Sequence, residues 1–187
     1  MKIETTAIED VKIILPGKFG DHRGFFSETY NFEKFLSNGL TLNFCQDNHS
    51  MSQKAGTIRG LHFQVMPFAQ DKLLRVTRGS IYDVAVDIRH GSPTYGKWVG
   101  YTISAELWNQ ILIPIGFAHG FCTLDEDTEV QYKVTAPYAP ECERGIAWND
   151  GDLAIDWPLN GNSPTLSDKD KTYPYLVDLP EYFEYMS

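Results

Sequence analysis

The sequence predicts a mainly β protein, a sandwich or barrel of short strands with few helices. The first observation is that alternating apolar and polar segments recur roughly every ten residues, the spacing of strands in such folds. The second is that glycine and proline, 15 and 10 of the 187 residues, fall between these segments as turn residues do. The third is that the stretches with helical periodicity are few and short.

The expected strands follow one another along the chain. They cover residues 11–15, 25–30, 44–51, 57–64, 72–78, 81–87, 97–104, 111–114, 117–124 and 129–135. Each alternates apolar with polar positions, the pattern of a strand with one buried face. The turn Arg78-Gly79-Ser80 joins two strongly alternating segments and predicts a hairpin.

Two short helices are expected between and after these strands. The segment NFEKFLSNG, residues 31–39, places Phe32, Phe35 and Leu36 on one helical face and ends at a glycine. The final segment LPEYFEYM, residues 179–186, has a proline near its start and is also expected to be helical. Since no repeat or low-complexity linker divides the chain, we expect one domain over residues 1–187.

Composition excludes several classes of partner and location. Twenty-five acidic and 16 basic residues give a net charge of −9, which repels nucleic acid and anionic membrane surfaces. The charged N-terminal segment does not resemble a secretory signal, and no apolar run approaches the about 20 residues of a membrane span. Three widely spaced cysteines fit reduced thiols better than a disulfide framework. We therefore expect a soluble, cytoplasmic protein without a nucleic-acid or membrane partner.

One expected strand carries a histidine where an interior would usually hold an aliphatic side chain. In TIRGLHFQ, residues 57–64, strict alternation places His62 on a face with Ile58 and Gly60, and Arg59 on the opposite face. This stretch alone leaves two interpretations open. His62 is either a core histidine with a hydrogen-bond partner or a base at the bottom of a pocket.

A second histidine lies in the segment IPIGFAHGF, residues 113–121, in a P-x-G-x-x-H pattern that ends at His119. This pattern resembles the second motif of the cupins, small jelly rolls that often hold a metal with three histidines and a carboxylate. The first cupin motif is incomplete, because His62 is followed by Gln64 rather than by a second histidine, and Lys72 adds a nearby cation. The resemblance implies a cupin-like jelly roll, and the departures indicate a pocket without a metal. Taken by itself, the motif is equally consistent with a His119 that only packs in the core.

Six blocks in a fixed order carry a more specific resemblance. They are DHRGFFSETYN (21–31), TIRGLHFQ (57–64), KLLRVTRGSIYDVAVDIRHGSPTYGKWVG (72–100), IPIGFAHGF (113–121), QYKVTAPYAPECERGIAWND (131–150) and LSDKD (166–170). Together they resemble the dTDP-4-dehydrorhamnose 3,5-epimerase family from about residue 3 to residue 170. The resemblance implies an isomerase that inverts carbons 3 and 5 of dTDP-4-dehydro-6-deoxy-glucose to give dTDP-4-dehydro-L-rhamnose. It implies no cofactor.

The resemblance assigns catalytic roles that suit this chemistry. His62 is the implied base, Lys72 the cation beside the ketone or enolate oxygen, and Tyr132 the proton donor. The ketone at carbon 4 acidifies the hydrogens on carbons 3 and 5, and inversion needs a base on one face and an acid on the other. Within LSDKD, the family pattern selects Asp170 as the carboxylate that orients His62. The sequence by itself leaves the choice between Asp168 and Asp170 open.

The resemblance also implies a nucleotide site. The substrate-binding residues that it implies are Arg23, Glu28, Gln46, Asn48, Arg59, His119, Tyr138, Glu143 and Lys169. Tyr138 takes the place of the aromatic side chain that stacks on thymine, and an arginine can bind two phosphate oxygens at once. Arg23, Arg59 and Lys169 would supply the local positive charge that an anionic ligand needs in an acidic protein.

Arg59 presents a difficulty, because alternation places it opposite His62 while the family pattern needs both at one site. A bend at Gly60 would bring them together, or Arg59 would serve the site of a neighbouring subunit. The resemblance implies a homodimer, and we expect N-terminal strands to be exchanged across its interface.

Other functions stay open from the sequence. The motifs define the enolate chemistry better than the sugar, so a monofunctional 3- or 5-epimerase acting on this or another 4-keto nucleotide sugar is one alternative. A non-catalytic sugar-nucleotide-binding jelly roll is a second, although His62, Lys72 and Tyr132 occurring together argue against it. A metal-dependent cupin is a more distant third.

Overall fold

The computed structural model describes residues 1–186 and is built mainly from short strands. The strands are β1 (Lys2–Thr5), β2 (Lys12–Leu15), β3 (Lys18–Asp21), β4 (Gly24–Ser27), β5 (Gln46–Ser52), β6 (Ile58–Gln64), β7 (Lys72–Arg78), β8 (Ser80–Asp87), β9 (Arg89–His90), β10 (Trp98–Ser104), β11 (Gln110–Ile113), β12 (Phe117–Thr123), β13 (Thr128–Val134), β14 (Glu143–Gly145) and β15 (Phe183–Glu184). Helices in this part of the chain are α1 (Phe32–Leu36) and the 3₁₀ turns Pro140–Cys142 and Leu176–Asp178. Strands were predicted at ten places, and a strand lies at each of them.

The strands form two large antiparallel sheets. One has the order β1-β2-β11-β7-β13-β5, and the other has the order β10-β8-β12-β6-β14. Two small pairs, β3 with β4 and β9 with β15, lie apart from these sheets. The chain passes repeatedly from one large sheet to the other, and this mainly β jelly roll confirms the predicted fold class.

An apolar core fills the space between the two sheets. Its buried members include Leu74, Val76, Ile81, Ala85, Ile111, Ile113, Phe117, Phe121 and Val130. These residues come from β7, β8, β11, β12 and β13, so each of these five strands contributes one of its faces. Burial of a large aliphatic side chain stabilises the fold by about 1.5–3 kcal/mol, and this core therefore holds the two sheets face to face.

The outer face of each sheet is also covered. Behind the five-stranded sheet, Leu153, Trp157 and Leu176 of the C-terminal segment pack with Val84 and Phe63. Behind the six-stranded sheet, the short helix α1 contributes a second apolar layer. That layer consists of Phe35 with Ile14, Leu73 and Leu112. Both sheets are thus buried on two sides near their centres, which is why apolar residues dominate strands such as β8.

The first predicted helix is confirmed, and its boundaries follow from local chemistry. The Asn31 side chain accepts a hydrogen bond from the Lys34 backbone N–H at 3.0 Å, and Phe35 is fully buried.

In residues 1–186, no helix has the length and apolar character needed to cross a membrane.

The predicted hairpin at Arg78-Gly79-Ser80 is wrong. β7 pairs with β11 and β13 in one sheet, whereas β8 pairs with β10 and β12 in the other. Gly79 has a φ of +76°, as in many hairpin turns, but here it turns the chain from one sheet to the other. A tight glycine turn is compatible with a hairpin and with a turn between two sheets. The strands β10 to β13, which follow in the sequence and pair with β7 or β8, decide between these two structures.

The predicted C-terminal helix is also wrong. Residues 183–184 form β15, which pairs in parallel with β9, and a 3₁₀ turn at Leu176–Asp178 precedes it. The aromatic rings of Tyr182 and Phe183 lie with their centroids 5.7 Å and 6.1 Å from that of Phe63. Tertiary packing of neighbouring aromatic residues against one sheet therefore overrides a weak helical pattern.

Strand β6 changes phase at Gly60. His62 lies opposite His119 on β12, but Arg59 lies opposite Phe121, so three steps along β6 match two along β12. Gly60 has a φ of +125°, which only glycine adopts readily. The strict alternation predicted for this stretch is therefore wrong at its N-terminal end. Arg59 and His62 therefore lie on the same face of the sheet, because the strand bends at Gly60.

Replacement of Gly60 by alanine is expected to destabilise the protein strongly. A Cβ at this position would lie 2.5 Å from the Gly120 Cα and 2.6 Å from the His119 carbonyl oxygen, and backbone atoms cannot move aside. We expect Gly60→Ala to lower the free energy of unfolding by about 2–4 kcal/mol. Thermal and urea unfolding at one fixed protein concentration measure this. Gly151→Ala, where a Cβ meets nothing within 4 Å, is the matched control and should change little; equal stability of both variants would contradict the prediction.

Candidate active site

A cavity of about 390 Å³ opens between the two sheets and contains polar side chains from both. Six of the residues singled out from the sequence line it, namely Arg59, His62, Lys72, His119, Tyr132 and Asp170. Arg59, His62 and His119 come from the five-stranded sheet, while Lys72 and Tyr132 come from the six-stranded sheet. A molecule bound in this cavity would therefore have different side chains on its two faces.

His62 forms a close pair with Asp170. The imidazole Nε2 lies 2.5 Å from Asp170 Oδ1, and the hydroxyl of Ser167 donates to Asp170 Oδ2 at 2.7 Å. Burial opposes ionisation of Asp170, but the hydrogen bonds from His62 and Ser167 prevail and hold its pKa below the usual value. Asp168, the other carboxylate of LSDKD, instead pairs with Lys171 at 2.8 Å and points into solvent. The structure thus places Asp170, and not Asp168, against His62.

Lys72 is a buried cation on the wall of the cavity. Its Nζ donates to the backbone oxygen of His62 at 3.3 Å. Burial lowers the pKa of the Lys72 ammonium to about 8, against the opposing effect of the carboxylates of Asp83 and Glu143. Lys72 can therefore bind an anionic oxygen, yet it lies close enough to neutrality to lose its proton in mildly alkaline solution.

His119 belongs to a second pair of imidazole and carboxylate. Its Nε2 lies 2.9 Å from Oδ2 of Asp83, and both side chains are buried. Burial lowers the pKa of His119, which favours the neutral ring despite the nearby Asp83 carboxylate. Sequence reasoning missed Asp83. The available signal was an acidic residue in phase with Ile81 and Ala85, on the face of β8 that belongs to the core.

Tyr132 enters the cavity from β13 of the six-stranded sheet, opposite the strand that carries His62. Its ring packs against the core between the sheets. Burial raises the pKa of the Tyr132 hydroxyl, and the nearby Arg59 only partly offsets this effect. The hydroxyl therefore keeps its proton at neutral pH and is able to donate it.

Five further predicted residues form a hydrogen-bonded chain. Gln46 donates to Asn48 at 2.8 Å and accepts from the backbone N–H of Tyr138 at 3.0 Å. The Tyr138 hydroxyl donates to Glu143 Oε2 at 2.7 Å, and Lys169 forms an ion pair with the same carboxylate. Asn48 and Tyr132 both line a second cavity, of about 270 Å³, so this chain adjoins the first cavity. The ring of Tyr138 is 55% exposed and is free to stack on a ligand.

The structure does not bring Arg23 and Glu28 to the cavity. Arg23 lies at the β3–β4 turn and pairs with Asp21 at 2.6 Å, while Glu28 pairs with Lys34 at 2.6 Å. The same hairpin exposes a group of large apolar side chains to solvent. These are Phe19, Phe25 and Phe26, which are 67%, 53% and 69% exposed.

Tyr173 is a second neighbour of His62 that sequence reasoning missed. Its ring meets the imidazole edge to face, with 5.4 Å between the centroids. Gly145 pairs with His62 across β14 and β6, and a Cβ at Gly145 would lie 2.6 Å from the Tyr173 ring. No motif signalled this contact, because it depends on where the C-terminal segment crosses the sheet.

No group of three or more His, Cys, Asp or Glu side chains in residues 1–186 is arranged to hold a metal ion. The candidate site consists of the pairs His62–Asp170 and His119–Asp83, together with the buried Lys72 and with Tyr132. These are groups for moving protons and for stabilising an oxyanion.

Solved structures with this fold are closely similar. The chain superimposes with a TM-score of 0.95 on dTDP-6-deoxy-D-glucose-3,5-epimerase from Legionella pneumophila, solved in complex with dTDP-4-keto-L-rhamnose, at 45% identity over 100% of this chain and 99% of that one. It superimposes with a TM-score of 0.90 on dTDP-4-dehydrorhamnose 3,5-epimerase from Bacillus anthracis, solved with TDP and PPi bound, at 52% identity over 93% and 98% of the two chains.

Sequence comparison agrees. The chain is 50% identical to dTDP-4-dehydrorhamnose 3,5-epimerase of Sinorhizobium fredii over 186 residues, which cover 100% of this chain and 95% of the relative. The model of the dTDP-4-dehydrorhamnose 3,5-epimerase family matches residues 5–178. The chain belongs to this family of isomerases.

Proposed function

We propose that the chain inverts carbons 3 and 5 of dTDP-4-dehydro-6-deoxy-glucose, giving dTDP-4-dehydro-L-rhamnose for dTDP-L-rhamnose biosynthesis. One observation carries this proposal. His62 and Tyr132 enter one cavity from opposite sheets, so a base and an acid face the two sides of a bound sugar. Inversion of a carbon centre by proton transfer requires this arrangement.

The first step is removal of a proton from carbon 3 or carbon 5 by His62. The ketone at carbon 4 takes up the electron pair, and the negative charge develops on its oxygen as the enolate forms. The Lys72 ammonium stabilises this oxygen, since a buried cation acts strongly on charge that develops close to it. Asp170 holds the His62 ring in place and stabilises the imidazolium that results.

The second step is return of a proton to the opposite face of the same carbon by Tyr132. Burial keeps the hydroxyl protonated until the enolate forms, and the enolate is basic enough to take the proton. The electron pair of the enolate forms the new C–H bond and restores the ketone. The substrate is neither oxidised nor reduced overall. His62 then releases its proton to solvent and the Tyr132 phenolate takes one up, which restores both side chains before they act at the second carbon.

The nucleotide is bound by the hydrogen-bonded chain beside the cavity. Tyr138 stacks on the thymine, with Gln46, Asn48, Glu143 and Lys169 around the nucleoside. Arg59 lies where the diphosphate would enter, and His119 lines the cavity beside it. The TDP-linked ligands of the two solved relatives support this choice of nucleotide.

Arg23 and Glu28 act, in this proposal, in the site of a partner subunit. The chain forms a homodimer in which the β3–β4 hairpin of one protomer crosses to the cavity of the other. Two features support the exchange. Arg23 does not line the cavity of its own chain, and the exposed phenylalanines of the hairpin form an apolar surface that a partner would cover.

Incubation of the wild-type protein with the 4-keto nucleotide sugar in heavy water should place deuterium at carbons 3 and 5. Deuterium enters because the Tyr132 hydroxyl, which delivers the new hydrogen, exchanges its own proton with the heavy water. Proton NMR of the recovered sugar measures the incorporation, and a sample without protein measures the spontaneous background. Exchange at one carbon only would indicate a monofunctional epimerase, and no exchange above background would indicate a binding protein.

Replacement of the two proton-transfer residues should separate their roles. We expect His62→Asn to reduce exchange by at least about 100-fold, because general-base catalysis contributes roughly that much. Tyr132→Phe should keep measurable exchange but lose inversion, because His62 still removes and returns a proton on its own face. His90→Asn and Tyr101→Phe, which lie away from the cavity, are the matched controls. Full activity in His62→Asn would remove it as the base.

Mixing two inactive variants should restore activity if Arg23 acts in the partner's site. In a dimer of Arg23→Ala with His62→Asn, one of the two sites receives both wild-type residues. Random exchange of subunits should therefore recover about a quarter of the wild-type rate, since about half of the dimers are mixed. Assays before and after unfolding and refolding of the mixture measure this, with light scattering for the mass. No recovery from a refolded dimer would contradict the exchange of the hairpin.

A further inference from the structure

Asp83 is a charged residue in the apolar interior that the mechanism above does not use. It lies in β8 on the same face as Ile81 and Ala85, which belong to the core between the sheets. Its side chain has no exposed surface. An ionised carboxylate in such surroundings costs several kcal/mol unless nearby groups compensate for the lost water. The position therefore calls for a physical reason.

The contacts of Asp83 lead to the cavity. Oδ2 accepts from Nε2 of His119 at 2.9 Å, and Oδ1 is buried without a hydrogen-bond partner among residues 1–186. Burial raises the pKa of the Asp83 carboxyl group, and the charges of His119 and Lys72 oppose this effect and favour the carboxylate. Lys72 also donates to the His62 backbone at 3.3 Å. One buried carboxyl group is thus hydrogen-bonded to His119 of the five-stranded sheet and interacts electrostatically with Lys72 of the six-stranded sheet, and both of these side chains line the cavity.

We propose that Asp83 is a positioning residue for the epimerisation, which holds His119 as the tautomer protonated on Nε2 and keeps Lys72 as an ammonium ion. This inference rests on the proposed function, since it concerns how the same site is kept in its working charge state. Asp83 does not itself reach the substrate.

The effect on His119 follows from the hydrogen bond. An ionised carboxylate can only accept, so Nε2 must carry the proton in the neutral ring. Nδ1 is then unprotonated and can accept a hydrogen bond from a hydroxyl group of the ligand. Without the carboxylate, nothing would fix which of the two nitrogens carries the proton.

The effect on Lys72 is electrostatic. Burial lowers the pKa of the ammonium to about 8, and among the charges that oppose this effect Asp83 is the largest, followed by Glu143. Lys72 is charged below its pKa and neutral above it, so activity should fall as the pH rises through that value. Removal of the Asp83 charge lowers the pKa further, and the fall should begin at lower pH. Other titratable or charged side chains also line the cavity or act on Lys72 and the groups beside it. They are Arg59 and His62 on β6, His119 on β12, Tyr132 on β13, Glu143 on β14 and Asp170 in the C-terminal segment.

The test is the pH profile of kcat for Asp83→Asn. Asparagine keeps the shape and an oxygen acceptor for His119 but removes the charge. We expect the alkaline limb of the profile to move down by about one pH unit, with a loss of about fivefold in kcat at pH 8, where about half of the wild-type Lys72 side chains are charged. An Asp83→Asn profile that coincides with that of the wild-type protein would overturn the proposal.

Asp87→Asn is the matched control. Asp87 is fully buried on the same face of β8, but it binds Arg89, Ser92 and Thr94 rather than groups of the cavity. This variant should lower the unfolding temperature and leave the alkaline limb in place. If both variants shift the limb equally, the shift reports general loosening of the fold, and the proposal is wrong.

A measurement on the wild-type protein covers the case in which Asp83→Asn does not fold. In protein labelled with ¹⁵N-histidine, the ring nitrogens of His119, assigned by comparison with His119→Gln, should show a proton on Nε2 and none on Nδ1 at neutral pH. A proton on Nδ1 would overturn the assignment of the tautomer. Deuterium incorporation by the wild-type protein is measured on the same preparation. Its absence would count against the proposed function, whereas the result for His119 bears on Asp83 alone.

Discussion

Burial of charged groups between two apolar sheets is the constraint on which the site depends. Lys72, Asp83, His119 and Asp170 are each no more than 9% exposed. A buried ion is tolerated only beside a group that compensates for the water it has lost. His119 therefore accompanies Asp83, and His62 with Ser167 accompanies Asp170.

The apolar layers around the sheets determine the geometry of these charges. The core between the sheets separates His62 on β6 from Tyr132 on β13 and leaves a cavity between them. The C-terminal segment covers the five-stranded sheet and, in doing so, brings Asp170 and Tyr173 against the imidazole of His62. The same segment therefore both covers the sheet and orients the imidazole of His62, so loss of its apolar contacts would disturb that orientation.

The distribution of charge agrees with an anionic ligand. The chain has a net charge of −9, yet the cations Arg59 and Lys72 line one cavity, and Lys169 lies in the adjoining hydrogen-bonded chain. Local basic groups dominate the field inside a cleft, because charges on the far surface are screened by salt over about 10 Å. The local positive charge in the cavity is therefore compatible with the anionic ligand proposed above, despite the acidic surface of the protein.

Sequence alone was enough to predict the strands, the helix at Phe32–Leu36 and six of the residues that line the cavity. Periodicity and turn residues are local properties, and the spacing of the family motifs is preserved in the chain. Long-range packing was needed to show that Gly79 turns between two sheets rather than within a hairpin, and that Phe183–Glu184 form a strand. It also decided that Gly60 brings Arg59 to the side of His62, and that Asp83 supports His119. Each of these depends on which distant strand lies alongside, and local pattern does not encode that choice.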